Sequence, residues 1–543
     1  MTEPATERVQ GFLDRTRTLL KRYGADATAF FLPALIYLFT LCPTVYTMDS
    51  AELTLGARYL GLIHAPGHPL YLLVGWVFTQ LPIGDVAYRV NLMSALFAGC
   101  TILLLYRLGR ALKLRPLFAL SAALLFGFSR SFWAVANVAE VYTLHTTLVL
   151  GLLLLFLRWR ENQNDLLLGW IAFGWGLSHG SHTSSILLAP AFLYGTRPAW
   201  PRLLKARRIL LLALLFFLGL AVFVYLPLRY AASPAVNYIS QYFEPKPTTL
   251  SGLWWMVSGS MFTPEFFAYS FEHILGEIGF FLNLLWSDFV GLGVLLGAWG
   301  LWTGLQKRRE EAIFLLLIFF LPTIFFLNYG VVDKQSMFLI PEMIWAMWAG
   351  WGIEALSNLE RRSTPDRSQG DPTRVAAPQG RSWARFGVLG LPLLSLALNY
   401  AAVDESATWI VRDFSRQTLT QVRRNAVVLA EWSSASPMEY VQMVEQHRPD
   451  VEVVNISFFL LGQRDRLRRR LPPDRADDAL DDALLGLVES RIRDHTVYTF
   501  GWDPVLASKY EFWPAGRRIY TLVPRGARDY KGTKRCRWLL CRP

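Results

Sequence analysis

Charge is scarce in this chain: 18% of its 543 residues are Asp, Glu, Lys or Arg, whereas 53% are hydrophobic, with 20 Trp and 36 Phe. That balance excludes an ordinary soluble globule of this length and points to a polytopic membrane protein. Cysteine is scarcer still. Four residues cannot form a disulfide scaffold. Cys42 and Cys100 fall in apolar stretches, and Cys536 and Cys541 are the two that could pair, given an oxidising compartment. The first 29 residues lack the basic, apolar and small-residue succession of a cleavable signal peptide. No internal repeat is evident. The net charge of +12 would suggest nucleic acid as the partner of a soluble chain. Here the basic residues collect in a few short loops instead, so no nucleic acid is expected and the partner is membrane lipid.

What is present is a series of long apolar runs. At about 20 residues per crossing, about eleven spans are expected. They lie near 28–46, 90–109, 116–134, 141–158, 166–178, 183–196, 208–228, 277–304, 312–328, 337–356 and 383–400. The run 68–82, "HPLYLLVGWVFTQLP", is ambiguous between a span and an interfacial helix. Basic residues decide it. Arg8, Arg15, Arg17, Lys21 and Arg22 put the N-terminus in the cytoplasm. The clusters at Arg107–Arg115, Arg158 and Arg160, Arg197–Arg208, Lys307–Arg309 and Arg361–Arg385 then all fall inside if 68–82 does not cross.

This topology leaves nearly every unusual polar group near a span end on one face, outside the cytoplasm. Such groups are costly at membrane depth and are functional candidates by default. Asp49 and Glu52 precede a helical pattern. They read as a capping arrangement, with Glu52 reaching back, or as a carboxylate that takes a proton from an incoming hydroxyl. His64 and His68 bracket "APG", either as parts of a turn or as donors to phosphate or sugar oxygens. Glu140 and Tyr142, in "ANVAEVYTLH", call for a partner such as Arg229 or a substrate hydroxyl. His179 and His182 stand at i and i+3 without a clear third ligand, so they are read as hydrogen-bonding, substrate-binding residues and no metal site is assigned. Arg229 follows "VYLPL", where proline ends a span and delivers a guanidinium to phosphate depth or simply to the headgroups. Asp333 and Lys334 share this face.

Residues 358–382 read as a cytoplasmic linker. After residue 400 the composition changes. "VVLAEWSSASPMEYVQMVEQHRPDVEVVNIS" gives strand, helix and strand, followed by a helix near 476–492 and strands at "TVYTF" and "RIYTLV". Two domains are therefore expected: a membrane part, 1–400, and a small soluble α/β domain, 401–543, outside the membrane. The latter has no P-loop, GxGxxG or CxxC, so nucleotide and zinc binding there have no support.

The pieces "MDSAEL", "HAPGHPLYLLVGWVF", "YRVNLMSALFAGCTILLLYRL", "SRSFWAVANVAEVYTLH", "GLSHGSHTSSILLAPA", "VYLPLR" and "HRPDVEVVN" occur in that order. In them the chain resembles a multi-spanning family that includes the animal transmembrane protein O-mannosyltransferases and is itself similar to the GT-C glycosyltransferases. The likeness covers most of 44–260 and continues more weakly to about 455. Ala51, Ala65 and His68 depart from the family's pattern, as does the stretch after Arg229. The resemblance implies a membrane all-α, GT-C-like bundle with interfacial helices in the first outer loop. It implies inverting transfer of a mannose-like sugar from a polyprenyl-phosphate carrier to a protein or glycan hydroxyl. Asp49 would be the base and Glu52 would orient it. Arg229, with His64 or His68, would meet the phosphate, and Glu140 and Tyr142 would bind hydroxyls. No cofactor is assigned with certainty, and a divalent metal is the one candidate. The expected location is a bacterial inner membrane, or the endoplasmic reticulum in a eukaryote. A transporter or flippase of a lipid-linked glycan is the competing reading. It would favour paired repeats and broken helices at the midplane, whereas the polar groups here gather at one face.

Overall fold

The computed structural model describes residues 23–331, 334–363, 383–527, 529–531 and 533–534. The N-terminal basic cluster, Asp333, most of the 358–382 linker and the Cys536–Cys541 pair lie outside them. The chain resolves into two compact units: Met1–Leu41, Asn91–Val222 and Pro264–Glu405 form the first, and Cys42–Val90, Phe223–Thr263 and Ser406–Pro543 form the second. The last passage between them falls after Glu405. Composition did not reveal that residues 42–90 and 223–263 pack with the C-terminal segment.

The first unit is helical. Among the described residues, four helices are long and apolar enough to cross a membrane: Val86–Ala111, Tyr142–Asn162, Ala206–Ala231 and Arg309–Leu327. Two bent pairs bring the number to six, Pro116–Gly127 with Arg130–Ala136 at 68° and Phe271–Asp288 with Leu292–Lys307 at 104°. The expected single span at 277–304 falls on the second pair. The chain turns there because Val290 and Gly291 both take positive φ (54° and 64°), which ends one helix before the next begins. Helix pairs pack closely. A Cβ on Gly300 would lie 1.7 Å from the Trp348 carbonyl oxygen, so only glycine lets Leu292–Lys307 approach Leu339–Ser363 this way.

In the second unit Asp49–Tyr59 and Pro69–Thr79 are separate helices of 11 residues. At 1.5 Å per residue the latter is about 16 Å long, about half a bilayer core. That length suits the interfacial reading of 68–82. The C-terminal segment folds around a five-stranded sheet ordered β2-β1-β3-β5-β4, with β1 Val427–Ala430, β2 Glu452–Asn455, β3 Val497–Thr499, β4 Tyr510–Gly516 and β5 Ile519–Pro524. Strands β2, β1 and β3 run parallel, and β5 and β4 extend the sheet antiparallel. Val427, Leu429, Val454, Val488, Val497 and Leu522 form its core. The β1–helix–β2 order matches the sequence expectation, and β4 is additional. Helices Trp432–Met443 and Ile456–Arg468 start directly beyond β1 and β2, so their first turns stand at the carboxyl edge of the parallel strands, where open α/β sheets bind ligands.

Candidate active site

Asp49 opens the first helix of the second unit, and Glu52 lies one turn on, fully buried. The capping arrangement is not what forms. Met48 is the N-cap, with φ 54°, and no side chain caps the helix. The segment after the helix instead folds back over it, and the His64 backbone N–H donates to Glu52 Oε1 at 2.7 Å while His64 Nδ1 lies 2.9 Å from Oε2. Both side chains are almost wholly enclosed. Glu52 thus holds an imidazole, and Asp49 stands beside the pair: donor atoms of Asp49, Glu52 and His64 all lie within 4.8 Å of one another. Two carboxylates and an imidazole at that spacing suit a hard divalent cation, although Glu52 already engages His64 with both oxygens.

His64 is boxed by rings. The centroid of Trp432 lies 5.1 Å away, that of His68 5.8 Å, that of Phe262 6.0 Å and that of Phe458 6.2 Å. Trp432 and Phe458 come from the two helix starts at the sheet edge. The Ala65–Pro66 peptide is cis, and His68 takes φ 41° before Pro69 begins the next helix. Tying the elements together, Thr47 Oγ1 donates to the Ser433 carbonyl (2.7 Å) and Tyr59 OH to that of Met443 (2.8 Å).

Sequence reasoning missed Glu439. Its carboxyl accepts a hydrogen bond from Tyr238 OH. Burial, reinforced by the negative charge of Glu52 and opposed by the Tyr238 bond, pushes it up to about 8. Near neutral pH this group therefore keeps its proton and donates. Its one sequence signal is a lone Glu in the apolar run "SASPMEYV".

Arg229 is placed differently from expectation. Its Nε donates to the Leu60 carbonyl at 2.6 Å and its Nη2 to that of Tyr59 at 3.2 Å. It therefore satisfies the open carbonyl end of the Asp49–Tyr59 helix, a favourable position for a cation. Proline does not end the span here. Pro227 is the third residue of the Tyr225–Ala231 segment, inside the longer apolar helix Ala206–Ala231.

The remaining candidates belong to the first unit. Tyr142 and His182 come together there with His145, which sequence reading left out. Ring centroids are 5.6 Å apart for Tyr142–His182 and 5.2 Å for His145–His182. Ser184 Oγ lies 2.7 Å from His182 Nδ1 and 3.3 Å from His145 Nε2. A cavity of about 10 Å³ beside them has room for little more than one water. The Glu140 backbone N–H donates to Ser94 Oγ at 3.2 Å. His179 does not join His182: its Nδ1 bonds the Trp175 carbonyl at 2.8 Å and its ring packs on Phe216. Lys334 pairs with Glu277 at 2.5 Å.

Residues 49–197 match the family model described as the N-terminal domain of protein O-mannosyl-transferase TMEM260. The chain is 26% identical to the TMEM260 protein O-mannosyl-transferase of Mus musculus, over 89% of this chain and 72% of that protein. It is 23% identical to that of Dictyostelium discoideum, over 90% and 65% respectively. Among solved structures it superposes on ArnT from Cupriavidus metallidurans, solved bound to undecaprenyl phosphate, with a TM-score of 0.54 and 12% identity, over 92% of this chain and 98% of ArnT. The chain is therefore similar in sequence to the TMEM260 protein O-mannosyl-transferases along most of its length, and it shares the fold of the GT-C membrane enzyme ArnT.

Proposed function

We propose that the protein is an integral-membrane glycosyltransferase that moves a mannose-like sugar from a polyprenyl-phosphate carrier to a protein or glycan hydroxyl on the extracytoplasmic side. One observation carries the reading: the start of the first outer helix, within the part of the chain that matches the family model, gathers Asp49, Glu52 and His64 into a tight group. The acceptor oxygen attacks the anomeric carbon as the bond from that carbon to the phosphate oxygen breaks, with inversion. The hydroxyl proton passes to the Asp49 carboxylate, and the leaving phosphate keeps the bonding electron pair. Glu52 acts through His64, fixing the imidazole and with it the wall of the site. Glu439, protonated, donates a hydrogen bond to a substrate oxygen. Tyr142 and His182 are retained as hydroxyl-binding groups, whereas Glu140 and His179 have weaker support. Arg229 has Nη1 left for an anion, its other donors in hand being engaged with carbonyls. A divalent cation on Asp49, Glu52 and His64 would supply charge stabilisation at the same place.

The test is sugar transfer by the purified protein from polyprenyl-phosphate mannose to acceptor peptides, wild type against Asp49→Asn. Loss of transfer with donor binding retained is expected. Undiminished transfer would remove Asp49 from the base role.

A further inference from the structure

The helix Ile456–Arg468 joins two places in the second unit. Its first turn belongs to the box around His64: Asn455 caps it by accepting from the Phe458 backbone N–H at 3.2 Å, and the Phe458 ring centroid lies 6.2 Å from that of His64. Its far end carries Arg466, Arg468, Arg469 and Arg470. At 1.5 Å per residue the axis covers about 16 Å between Phe458 and Arg469. The helix is also held against the chain that leads to the second place. Tyr242 OH accepts from the Asn455 backbone N–H at 3.1 Å, and a Cβ on Gly462 would lie 2.0 Å from the Tyr242 carbonyl oxygen, so glycine is what permits this approach.

A few residues on, a cavity of about 450 Å³ opens over the loop entering the Leu250–Val257 helix, within the range of small-ligand sites. Lys246 and Arg469 both line it, beside Thr249, Ser251 and Trp255. Thr249 donates from its backbone N–H and from Oγ1 to the Lys246 carbonyl, both at 2.9 Å, which fixes the loop before the first turn of an eight-residue helix, an end that favours an anion. Trp255 points to a ligand independently of these charges. It is only 6% exposed and borders the cavity, yet its Nε1–H has no acceptor among the described residues. The charges themselves are unbalanced. Glu244 takes Arg466 at 2.7 Å and Arg470 at 3.1 Å, and Asp465 takes Arg469 at 2.6 Å, whereas Lys246 and Arg468 have no ion-pair partner among the described residues. The surplus cations follow one another along the chain, as a run of carboxylates would need, and arginine clusters are the usual readers of acidic motifs.

We propose that this surface is an exosite for an acidic segment of a polypeptide acceptor. It rests on the transferase reading above and names what that reading leaves open, which acceptors are preferred. One carboxylate enters the cavity and accepts from Lys246 Nζ, Trp255 Nε1–H and the helix N-terminus, and the next lie against Arg468 and Arg469. An acceptor hydroxyl beside Asp49 and His64 is then about 16 Å from the arginines, which an extended chain covers in about five residues. Preferred acceptors therefore carry Asp or Glu about five positions from the Ser or Thr that takes the sugar.

The experiment measures fluorescence anisotropy of labelled peptides with the full-length protein in detergent, without donor, and then transfer to the same peptides from polyprenyl-phosphate mannose. One Ser/Thr peptide carries a run of Glu about five positions from the hydroxyl; the others carry Gln there, or the Glu run about two or about ten positions away. The Glu peptide should bind about tenfold tighter than the Gln peptide, with the difference shrinking at high salt, and kcat/KM should peak at the predicted spacing. Lys246→Gln/Arg469→Gln should abolish the preference while transfer to the Gln peptide stays at the wild-type rate. Lys246→Glu/Arg469→Glu should favour a peptide with a Lys run instead, an inversion that a misfolded protein cannot give. Trp255→Phe keeps the ring and removes the donor, and should weaken binding of the Glu peptide alone, severalfold. Equal binding of the Glu and Gln peptides, an unchanged preference in the double variants, or kcat/KM indifferent to spacing would overturn the proposal. So would full competition by phosphatidylglycerol at the peptide's own concentration, or a raised donor KM with the peptide preference intact, either of which gives the surface to lipid. Anisotropy needs no turnover: absence of transfer by the wild type would sink the transferase reading with the peptide preference still measured, and equal binding would sink the exosite with the result for Asp49→Asn untouched.

Discussion

Two polar clusters, one in each unit, use similar residue types to different ends. In the second unit a buried carboxylate grips His64 through two contacts, at 2.7 and 2.9 Å, and a second carboxylate, Asp49, stands within 4.8 Å. In the first unit two histidines and a tyrosine meet around the Ser184 hydroxyl, with room for about one water. The first cluster joins carboxylates to an imidazole, and the second joins imidazoles to a hydroxyl. Carboxylates supply a base at neutral pH; neutral imidazoles and hydroxyls trade hydrogen bonds.

The largest effect that would break this comparison is on turnover. Asp49→Asn should lower the rate of transfer by about 10²–10⁴-fold, the usual contribution of a general base, with donor binding unchanged; a steady-state assay beside a binding isotherm checks it. Glu52→Ala comes next. It leaves a buried backbone N–H and Nδ1 of His64 without their acceptor, which should cost roughly 1–3 kcal/mol of stability, seen as a lower unfolding midpoint, and should reduce the rate through a displaced imidazole.

Glu439 gives a pH test. The folded protein holds this proton up to about 8, well above the ordinary carboxyl range, so the folded state binds it more tightly than the unfolded one. The stabilisation is complete in acid and is lost as pH rises through about 8. Activity that needs the donor should fall over the same interval. Glu439→Gln, which cannot ionise, should flatten that limb in a pH–rate profile, and persistence of the limb would exclude Glu439 as its source. The smallest effect is expected in the first unit: His182→Ala should raise KM by on the order of tenfold or less with kcat nearly unchanged, the signature of lost uniform binding. A collapse of kcat would instead give His182 a part in the chemical step.

Much of the arrangement was legible in the residues. The strand–helix–strand order after 426 followed from short apolar runs separated by polar stretches, and it stands as β1, Trp432–Met443 and β2. The interfacial reading of 68–82 followed from basic-residue placement, and the apolar helix found there, Pro69–Thr79, has 11 residues. Other features were hidden because they depend on contacts distant in sequence. The spacing of Asp49 and Glu52 looked like a cap, but Glu52 turns to His64, twelve residues on. Arg229 looked like a phosphate ligand, but carbonyls from residues 59 and 60 reach it first. Glu439 carried no motif at all, and its retained proton comes from burial and from the nearby charge of Glu52.

The sequence by itself determined the apolar runs, the strand and helix periods, and the presence of carboxylates and imidazoles after the first run, because these depend on local chemistry and on the solvent each segment can tolerate. The tertiary structure decided which imidazole Glu52 holds, why Trp432 and Phe458 close around it, and which carboxyl stays protonated. Those outcomes depend on through-space distance and burial, and neighbours along the chain fix neither.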